Sequence, residues 1–470
     1  MNRQPPFAWL FFAAALVCNA ASADPPPATN PSIQDLLDEV RSLRAEVKTL
    51  RQQVNSPAPP TQPAEATGAY PLHAAPADTS AAELQRRVEL SEEQGFTAGY
   101  MREKGFVIRS EDGSFLLHPW AFVQVRDATN YRQRATATSS DTETGFELPR
   151  AKFILDGNVF TPDLTFQFIW ATSDTTGNLQ LQDGWGRYHI PQTPLALRAG
   201  QIRDPVDHEQ IIFATRSLTP DRSLVNNVLL NGDDIVKGAS VSYGYDGNYP
   251  VRTEVAITSG ERNFDTSFQA FPTNAADWGA AARLEWKIMG DWADYNQFTA
   301  LGDRHALLVL GAGADYTEAG KTSDFTHVVD AQFNTPGRLT LYASYLGRYT
   351  RRDGGPPTTN GQFITAGPSA NTYDSTIRVM GAWIFDGHFE PFIRYEYLHF
   401  DARELAAGTS NNVQDITLGM NYYFYGHRAK ITAGASYLPD GAPVANTISD
   451  VLQSHGGTEF IFQAQFQLIL

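Results

Sequence analysis

The sequence predicts an all-β fold, a transmembrane antiparallel β-barrel of about sixteen strands that follows an N-terminal α-helical coiled-coil segment. The last twelve residues show the underlying pattern. Their apolar side chains alternate with polar ones, and a period of two places the two sets on opposite faces of a strand. Only a strand that faces lipid needs a fully apolar outer face. The apolar positions are Phe460, Phe462, Ala464, Phe466, Leu468 and Leu470, and the glutamines are Gln463, Gln465 and Gln467.

The first 23 residues have the features of an export signal. Arg3 is followed by an apolar run from Phe7 to Val17, and Ala21-Ser22-Ala23 suits cleavage after small residues. Eleven apolar residues rise only about 16 Å as a helix, too little to cross a membrane. The single cysteine, Cys18, lies in this segment, so we expect the mature chain to contain no disulfide or thiolate metal site.

Residues 32–54 show a heptad repeat that predicts a short coiled coil. The a positions are Ile33, Val40, Val47 and Val54, and the d positions are Leu36, Leu43 and Leu50. The pairs Glu39 with Arg44 and Glu46 with Arg51 suit a parallel assembly. The heptad chemistry favours dimers, whereas a barrel of this kind favours trimers. A single amphipathic helix packed on the barrel is the alternative.

Residues 55–103 form a predicted Pro/Ala-rich linker that ends in a short helix over 81–93, and residues 104–470 form the predicted barrel. A hairpin from Phe106 to Leu117 precedes sixteen alternating segments. The alternative is a repeated β-sandwich, but its outer faces would be polar. The segments are 120–128, 146–159, 164–171, 181–190, 195–203, 238–245, 251–259, 279–287, 305–316, 325–333, 338–348, 376–384, 389–400, 413–425, 429–438 and 459–470.

If the apolar faces meet lipid, the opposite faces line the lumen and are modestly basic. Arginine outnumbers lysine 29 to 7 in the chain, and a guanidinium is a permanent bidentate partner for oxyanions. The inward cations are Arg126, Arg150, Lys152, Arg187, Arg198, Arg252, Arg283, Lys287, Arg348, Arg378, Arg394 and Lys430. The inward acids are Asp156, Asp183, Glu254, Glu285, Asp315, Asp330, Glu390 and Glu396.

These arginines have a structural alternative, since ion pairs across the wall would also explain them. Same-face neighbours that could pair are Arg252 with Glu254, Arg283 with Glu285, and Arg394 with Glu396. The formal charge of the whole chain is −16, which argues against nucleic-acid binding.

The connection from Asp204 to Val236 is the predicted constriction, because long loops in compact folds are usually functional. Its apolar stretch Ile211 to Ala214 is expected to fold against the inner wall, with Arg203, Arg216 and Arg222 on or beside it. Asp207-His208-Glu209 has metal-ligating residue types, but three adjacent loop positions converge poorly on one ion. We therefore expect no metal here and no cofactor.

Several motifs resemble the phosphate-selective porin O and P family. They are Leu148-Pro149-Arg150-Ala151-Lys152 with Gly157, Leu181-Gln182-Asp183-Gly184, and Arg198-Ala199-Gly200-Gln201-Ile202-Arg203-Asp204-Pro205. The resemblance implies a trimer of sixteen-stranded barrels, an inward third loop and a basic lumen that draws anions through, with Arg150, Arg198 and Arg203 at the matching positions. The chain departs from the pattern by ending in Leu470 where Phe is common, and by having many acids in the long loop.

The sequence thus favours a channel in the outer membrane for small hydrophilic solutes, with a preference for phosphate or similar oxyanions, and with a periplasmic coiled coil. Lipid, small anions and two further copies of the chain are the expected partners. The alternative is a structural anchor whose coiled coil reaches peptidoglycan. An enzyme is not expected, because the histidines are scattered. The candidate anion-binding residues are Arg126, Arg150, Lys152, Arg198, Arg203, Arg216, Arg222, Arg252, Arg283, Arg348, Arg378 and Arg394.

Overall fold

The computed structural model describes residues 95–470, except 102–104, 137, 173–176, 231–234, 261–275, 354–370, 405–409, 444–448 and 455. The predicted signal peptide, coiled coil and helix over 81–93 lie outside these residues. Among the described helices, none is long and apolar enough to cross a membrane.

Eighteen antiparallel strands are present in the described residues. The first two form a hairpin, and each of the other sixteen overlaps one predicted segment. The strands are β1 (Phe96–Met101), β2 (Gly105–Ser110), β3 (Leu116–Arg132), β4 (Asp141–Asn158), β5 (Leu164–Thr172), β6 (Leu179–His189), β7 (Leu195–Arg203), β8 (Ile235–Tyr243), β9 (Val251–Thr258), β10 (Trp278–Met289), β11 (Leu307–Ala319), β12 (Thr322–Asn334), β13 (Leu339–Arg352), β14 (Thr372–Trp383), β15 (Phe389–His399), β16 (Asn412–Tyr423), β17 (Ala429–Leu438) and β18 (Glu459–Ile469).

Strands β3 to β18 form a closed barrel of sixteen strands. Each pairs with its neighbour in sequence, and β18 returns to pair with β3, where Phe466 faces Val125. Closure satisfies the backbone hydrogen bonds of every strand and leaves no free edge, as a membrane interior requires. The predicted antiparallel barrel and its strand number are therefore confirmed.

The N-terminal hairpin, formed by β1 and β2, lies beside the first residues of β3. Strand β2 pairs with β1 and then with β3 at Ile108–Leu117 and Arg109–Leu116. The predicted hairpin from Phe106 to Leu117 is present, and its turn at Glu111-Asp112-Gly113 connects β2 to β3. Strand β1 was not predicted, and it falls in the segment assigned to the linker because its sequence, with Thr97 and Gly99, alternates only weakly.

The two faces of the wall follow the predicted alternation. On β18, the exposed fraction is 52% for Phe462 and 40% for Phe466, whereas it is 2% for Gln465 and 0% for Gln467. The apolar side chains therefore point away from the barrel. The glutamines point into an interior that is filled well enough to bury them.

Short helices occur in two connections that run into this interior. Between β7 and β8 lie α1 (His208–Ile211), a 3₁₀ turn (Ala214–Arg216) and α2 (Leu224–Leu229). Between β10 and β11 lies α3 (Trp292–Tyr295), and a further 3₁₀ turn (Ala402–Glu404) follows β15. Because connections alternate between the two rims of an antiparallel barrel, the β7–β8 and β10–β11 connections enter the interior from opposite ends.

Candidate functional site

Residues 204–230, called here the inner loop, fold into the barrel as predicted. Val206, Leu224, Val225 and Leu229 are at most 1% exposed and pack on inward apolar residues of the wall. Ile212 packs with Phe298, Tyr342, Met380 and Phe392. The close approach requires glycine at 313, where a Cβ atom would lie 2.1 Å from the Val206 carbonyl oxygen.

Arg378 of β14 is fully buried and holds the first part of the inner loop. Its Nη2 donates to Asp207 Oδ1 at 2.8 Å, and its Nη1 contacts the Glu209 carboxylate and Ser223 Oγ. His208 lies between these two acids, and its Nε2 is 3.0 Å from Gln332 Oε1. The two carboxylates of this Asp-His-Glu motif therefore share Arg378 as a partner, whereas the imidazole contacts Gln332.

A second group of arginines holds the middle of the inner loop through Asp221. Arg126 of β3 contacts one carboxylate oxygen, and Arg150 of β4 donates to the other at 2.8 Å. Arg394 of β15 donates to Thr219 Oγ1 at 2.9 Å and to the Asp221 carbonyl at 3.1 Å. Three strands are thus tied to two residues of the loop.

The remaining buried candidates also contact protein groups. Arg283 Nη1 donates to Asp330 and to the Val206 carbonyl, both at 2.9 Å, and Arg348 pairs with Asp374 at 2.6 Å. Arg222 belongs to the loop itself, and it donates to the carbonyl groups of residues 209, 210 and 212. Lys152 is 6% exposed on β4.

Two of the three predicted same-face ion pairs are confirmed. Arg283 Nε lies 2.8 Å from Glu285 Oε1, and Arg394 Nε lies 2.7 Å from Glu396 Oε1. The third is wrong. Glu254 of β9 instead pairs with Arg198 of β7 at 2.5 Å, because the register of β7, β8 and β9 brings the two side chains together across β8.

A second inward segment, residues 290–306, enters from the opposite rim and meets the inner loop. The Tyr295 ring is stacked on His208 with centroids 3.7 Å apart and planes 8° apart. Phe298 N donates to the Arg216 carbonyl at 3.4 Å, and the Gln297 carbonyl accepts from Gln332 at 2.8 Å. We call residues 290–306 the inner turn.

The inner turn is not among the segments predicted from the sequence. Its length was the available signal, since it is much longer than the turn at Thr161-Pro162-Asp163 on the same rim. Its aromatic residues, including Trp292 and Tyr295, were a second signal.

The space left open lies between the inner loop and the other side of the wall. A cavity of about 1310 Å³ adjoins a smaller one of about 200 Å³, and both are lined by Gln167, Ile211, Phe213 and Tyr245. The charged residues that line the two cavities are the cations Arg187, Arg198, Arg203, Arg216, Arg252 and Arg428, and the acids Asp183, Glu254 and Glu285. Six cations therefore face three acids.

Three of these arginines lie against aromatic rings. The distance from the guanidinium carbon to the ring centroid is 5.7 Å for Arg198 over Trp185 and 5.5 Å for Arg203 over Phe213. For Arg252 over Trp292 it is 4.1 Å. Such stacking holds a guanidinium in place without neutralising its charge.

Arg216 and Arg252 differ from the other cations of the cavity. Arg252 donates only to the backbone carbonyls of Gly244 and Tyr245, at 3.3 Å each. Arg216 is exposed. Within the part of the chain that the structure describes, no carboxylate lies within ion-pairing distance of either one. Four of the predicted site residues thus line the cavities, namely Arg198, Arg203, Arg216 and Arg252.

The sequence analysis placed Arg187 on the inner wall but did not select it as a site residue, and it did not select the supporting rings. Arg187 lines the smaller cavity and pairs with Asp246 at 2.8 Å. Alternation along β6 places the side chains of both Trp185 and Arg187 on the inner face, so the sequence pattern could have identified the two as residues of the site.

Comparison with solved structures identifies the architecture. The anion-selective porin from Comamonas acidovorans matches with a TM-score of 0.51 and 12% identity, over 75% of this chain and 99% of that one. This chain has the barrel fold of the porins. OprB of Pseudomonas putida matches with a TM-score of 0.51 and 8% identity, over 83% and 97% of the two chains. OmpF of Salmonella typhi matches with a TM-score of 0.50 and 12% identity, over 76% and 99%.

At these identities the likeness concerns the fold alone. No protein-family model matches the sequence, and no curated protein matches it. The resemblance to the phosphate-selective porin O and P family stays a prediction.

Proposed function

We propose that this protein is an outer-membrane porin, a channel rather than an enzyme, through which small hydrophilic solutes diffuse with a preference for anions. The observation that carries the proposal is the lining of the two cavities, in which six arginines face three acids. An aqueous lumen with an excess of fixed positive charge raises the local concentration of anions. The solved anion-selective porin with the same fold supports the proposal.

The path that we propose runs between the inner loop and strands β5 to β9. Arg198 and Arg203 line its narrow part, and Arg216 and Arg252 line its wide part. Phosphate and similar oxyanions are the expected solutes, because guanidinium groups replace part of their hydration and still release them. The arginines that hold the inner loop shape this path instead of lining it.

The assembly completes the proposal. The exposed aromatic and aliphatic side chains of the outer face suit contact with lipid. Three copies of the chain would assemble as a trimer of barrels, with the N-terminal coiled coil in the periplasm.

The test is the reversal potential of single channels of the full-length protein in a planar bilayer under a KCl gradient. We expect an anion-selective potential, and a block of the current by added phosphate. Cation selectivity would refute the proposed anion preference, and the lack of any conductance would refute the proposal that the protein is a channel.

Two charge reversals locate the selectivity. Arg203→Glu and Arg216→Glu should each move the reversal potential towards cation selectivity, since each places a carboxylate on the path. Arg351→Glu is the matched control, because Arg351 lies at the end of β13 with 58% of its side chain exposed and pairs with Asp353. An unchanged potential in the first two variants would remove those residues from the path.

A further inference from the structure

Within the proposed anion path, we propose a binding site for small organic anions that combine a carboxylate with an apolar, preferably aromatic, body. The inference rests on the proposed function and narrows its solute class. The site is the larger cavity, whose lining combines Arg216 and Arg252 with an apolar wall formed by Trp120, Ile211 and Phe213.

The charged half of this site is built to accept an anion. The guanidinium carbon of Arg252 lies 4.1 Å from the centroid of the Trp292 ring and 5.2 Å from that of the Tyr245 ring, and its N–H groups donate from the edge of the guanidinium plane. Two of its nitrogen atoms use that edge for backbone carbonyls, and Nη1 has no acceptor among the described residues. Glu285 lines the same cavity, but Arg283 already pairs with it at 2.8 Å.

The apolar half of the site is fixed in position. The Phe213 ring lies 5.3 Å from the Trp120 ring and 5.7 Å from the Phe122 ring, and it packs on the buried cluster of Phe122, Ile154 and Ile169. This wall is therefore preorganised, and its exposed side still borders the cavity. An apolar surface held in this way gains from contact with a ring or an alkyl chain.

The combination distinguishes organic from inorganic anions. Phosphate binds through several converging hydrogen-bond donors, and an apolar wall contributes nothing to it. A carboxylate with a ring can use both halves at once, with its oxygens on a guanidinium edge and its ring on Phe213 or Trp120. A cavity of about 1310 Å³ is large enough for such a molecule.

The experiment compares four probes on the full-length channel in a planar bilayer: benzoate, acetate, inorganic phosphate and neutral benzamide. We measure the concentration of each that halves the chloride current. Benzoate should act at a concentration roughly tenfold lower than acetate or phosphate, which corresponds to a modest gain from ring contacts. Benzamide should act much more weakly than benzoate, because it has no charge.

Variants separate the two halves of the site. Arg252→Gln and Arg216→Gln should weaken the block by benzoate, while Arg351→Gln should leave it unchanged. Phe213→Leu keeps an apolar contact for the inner loop but removes the ring, and it should bring the blocking concentration of benzoate close to that of acetate.

The outcomes also separate this inference from the proposed function. Anion selectivity under a KCl gradient together with equal block by benzoate and acetate would overturn the organic-anion site and leave the porin proposal intact. Stronger block by phosphate than by benzoate would overturn it as well. Cation selectivity in the same gradient would overturn the anion preference itself.

Discussion

The inner wall has two regions that carry the same residue type in different surroundings. In the first, called here the clamped wall, Arg126, Arg150, Arg283, Arg378 and Arg394 contact residues of the inner loop. In the second, called the open wall, Arg187, Arg198, Arg203 and Arg252 line the cavities, although Arg203 also donates to the Gln210 carbonyl of the inner loop at 2.9 Å. The difference shows that an inward arginine borders open space only where the inner loop leaves room beside it.

The physical cause of the division is the charge of the inner loop. Its acids Asp207, Glu209 and Asp221 are nearly completely buried, and burying a carboxylate costs free energy unless a cation pairs with it. The clamped wall supplies those cations. The acids Asp207, Glu209 and Asp221 of the inner loop are thus paired with wall arginines. On the open wall, Arg198 pairs with Glu254 and Arg203 with Asp183, whereas Arg252 has no carboxylate within ion-pairing distance among the described residues.

The largest expected effect comes from breaking the clamp at Arg378. Arg378→Met should lower the free energy of unfolding by about 3–5 kcal/mol, because Asp207 and Glu209 would stay buried without their cation. Without this contact the inner loop should move more freely, and the fluctuations of the single-channel current should increase. Thermal unfolding in detergent and single-channel recording measure the two effects. Arg351→Met, which breaks an exposed pair, is the control, and equal loss in both variants would contradict the clamp.

A smaller effect is expected when the shared acid of the clamp is removed. Asp221→Asn should lower the free energy of unfolding by about 2–3 kcal/mol, since Arg126 and Arg150 lose a buried charged partner. It should also increase anion selectivity, because the guanidinium group of Arg150 is no longer neutralised, whereas Arg126 keeps Glu147 as a partner. The reversal potential under a KCl gradient measures this. An unchanged potential would mean that the clamped wall stays closed to solute even without its acid.

On the open wall the pattern should reverse, with a change in selectivity and little change in stability. Arg252→Gln removes a cation whose side chain contacts rings and backbone carbonyls, so the free energy of unfolding should fall by only about 1 kcal/mol. The reversal potential should move towards cation selectivity. A stability loss as large as that of Arg378→Met would erase the distinction between the two regions.

The smallest expected effect concerns the inner turn and depends on pH. Burial, together with the nearby charge of Asp294, raises the pKa of Asp303 from 3.8 to about 7. The folded protein therefore holds this proton more tightly than the unfolded chain, and the free energy of unfolding should fall as the pH rises from about 4 to about 7. Asp303→Asn should reduce this fall. Equal pH profiles of unfolding for the two proteins would contradict the prediction.

Most of the barrel could be predicted from the sequence because the membrane imposes a local rule. Each lipid-facing strand must alternate, so the strand that contains Leu418, Met420 and Tyr422 can be recognised without any knowledge of its neighbours. The faces of the inward arginines follow from the same alternation. The weakly alternating strand β1 was missed for this reason.

The candidate site was less predictable because it depends on contacts between residues far apart in sequence. Arg378 and Asp207 are 171 residues apart, and Arg150 and Asp221 are 71 apart. No local pattern indicates which acid of the inner loop reaches which arginine. The same holds for the stacking of His208 on Tyr295, which joins segments from opposite rims.

The sequence by itself determined the barrel, its strand order and which side chains point inward, because backbone hydrogen bonding and lipid exposure act on each strand separately. Tertiary structure alone decided which of those inward charges face open space. That choice belongs to the inner loop, whose buried carboxylates pair with some arginines of the wall and leave others, such as Arg252, beside the cavity.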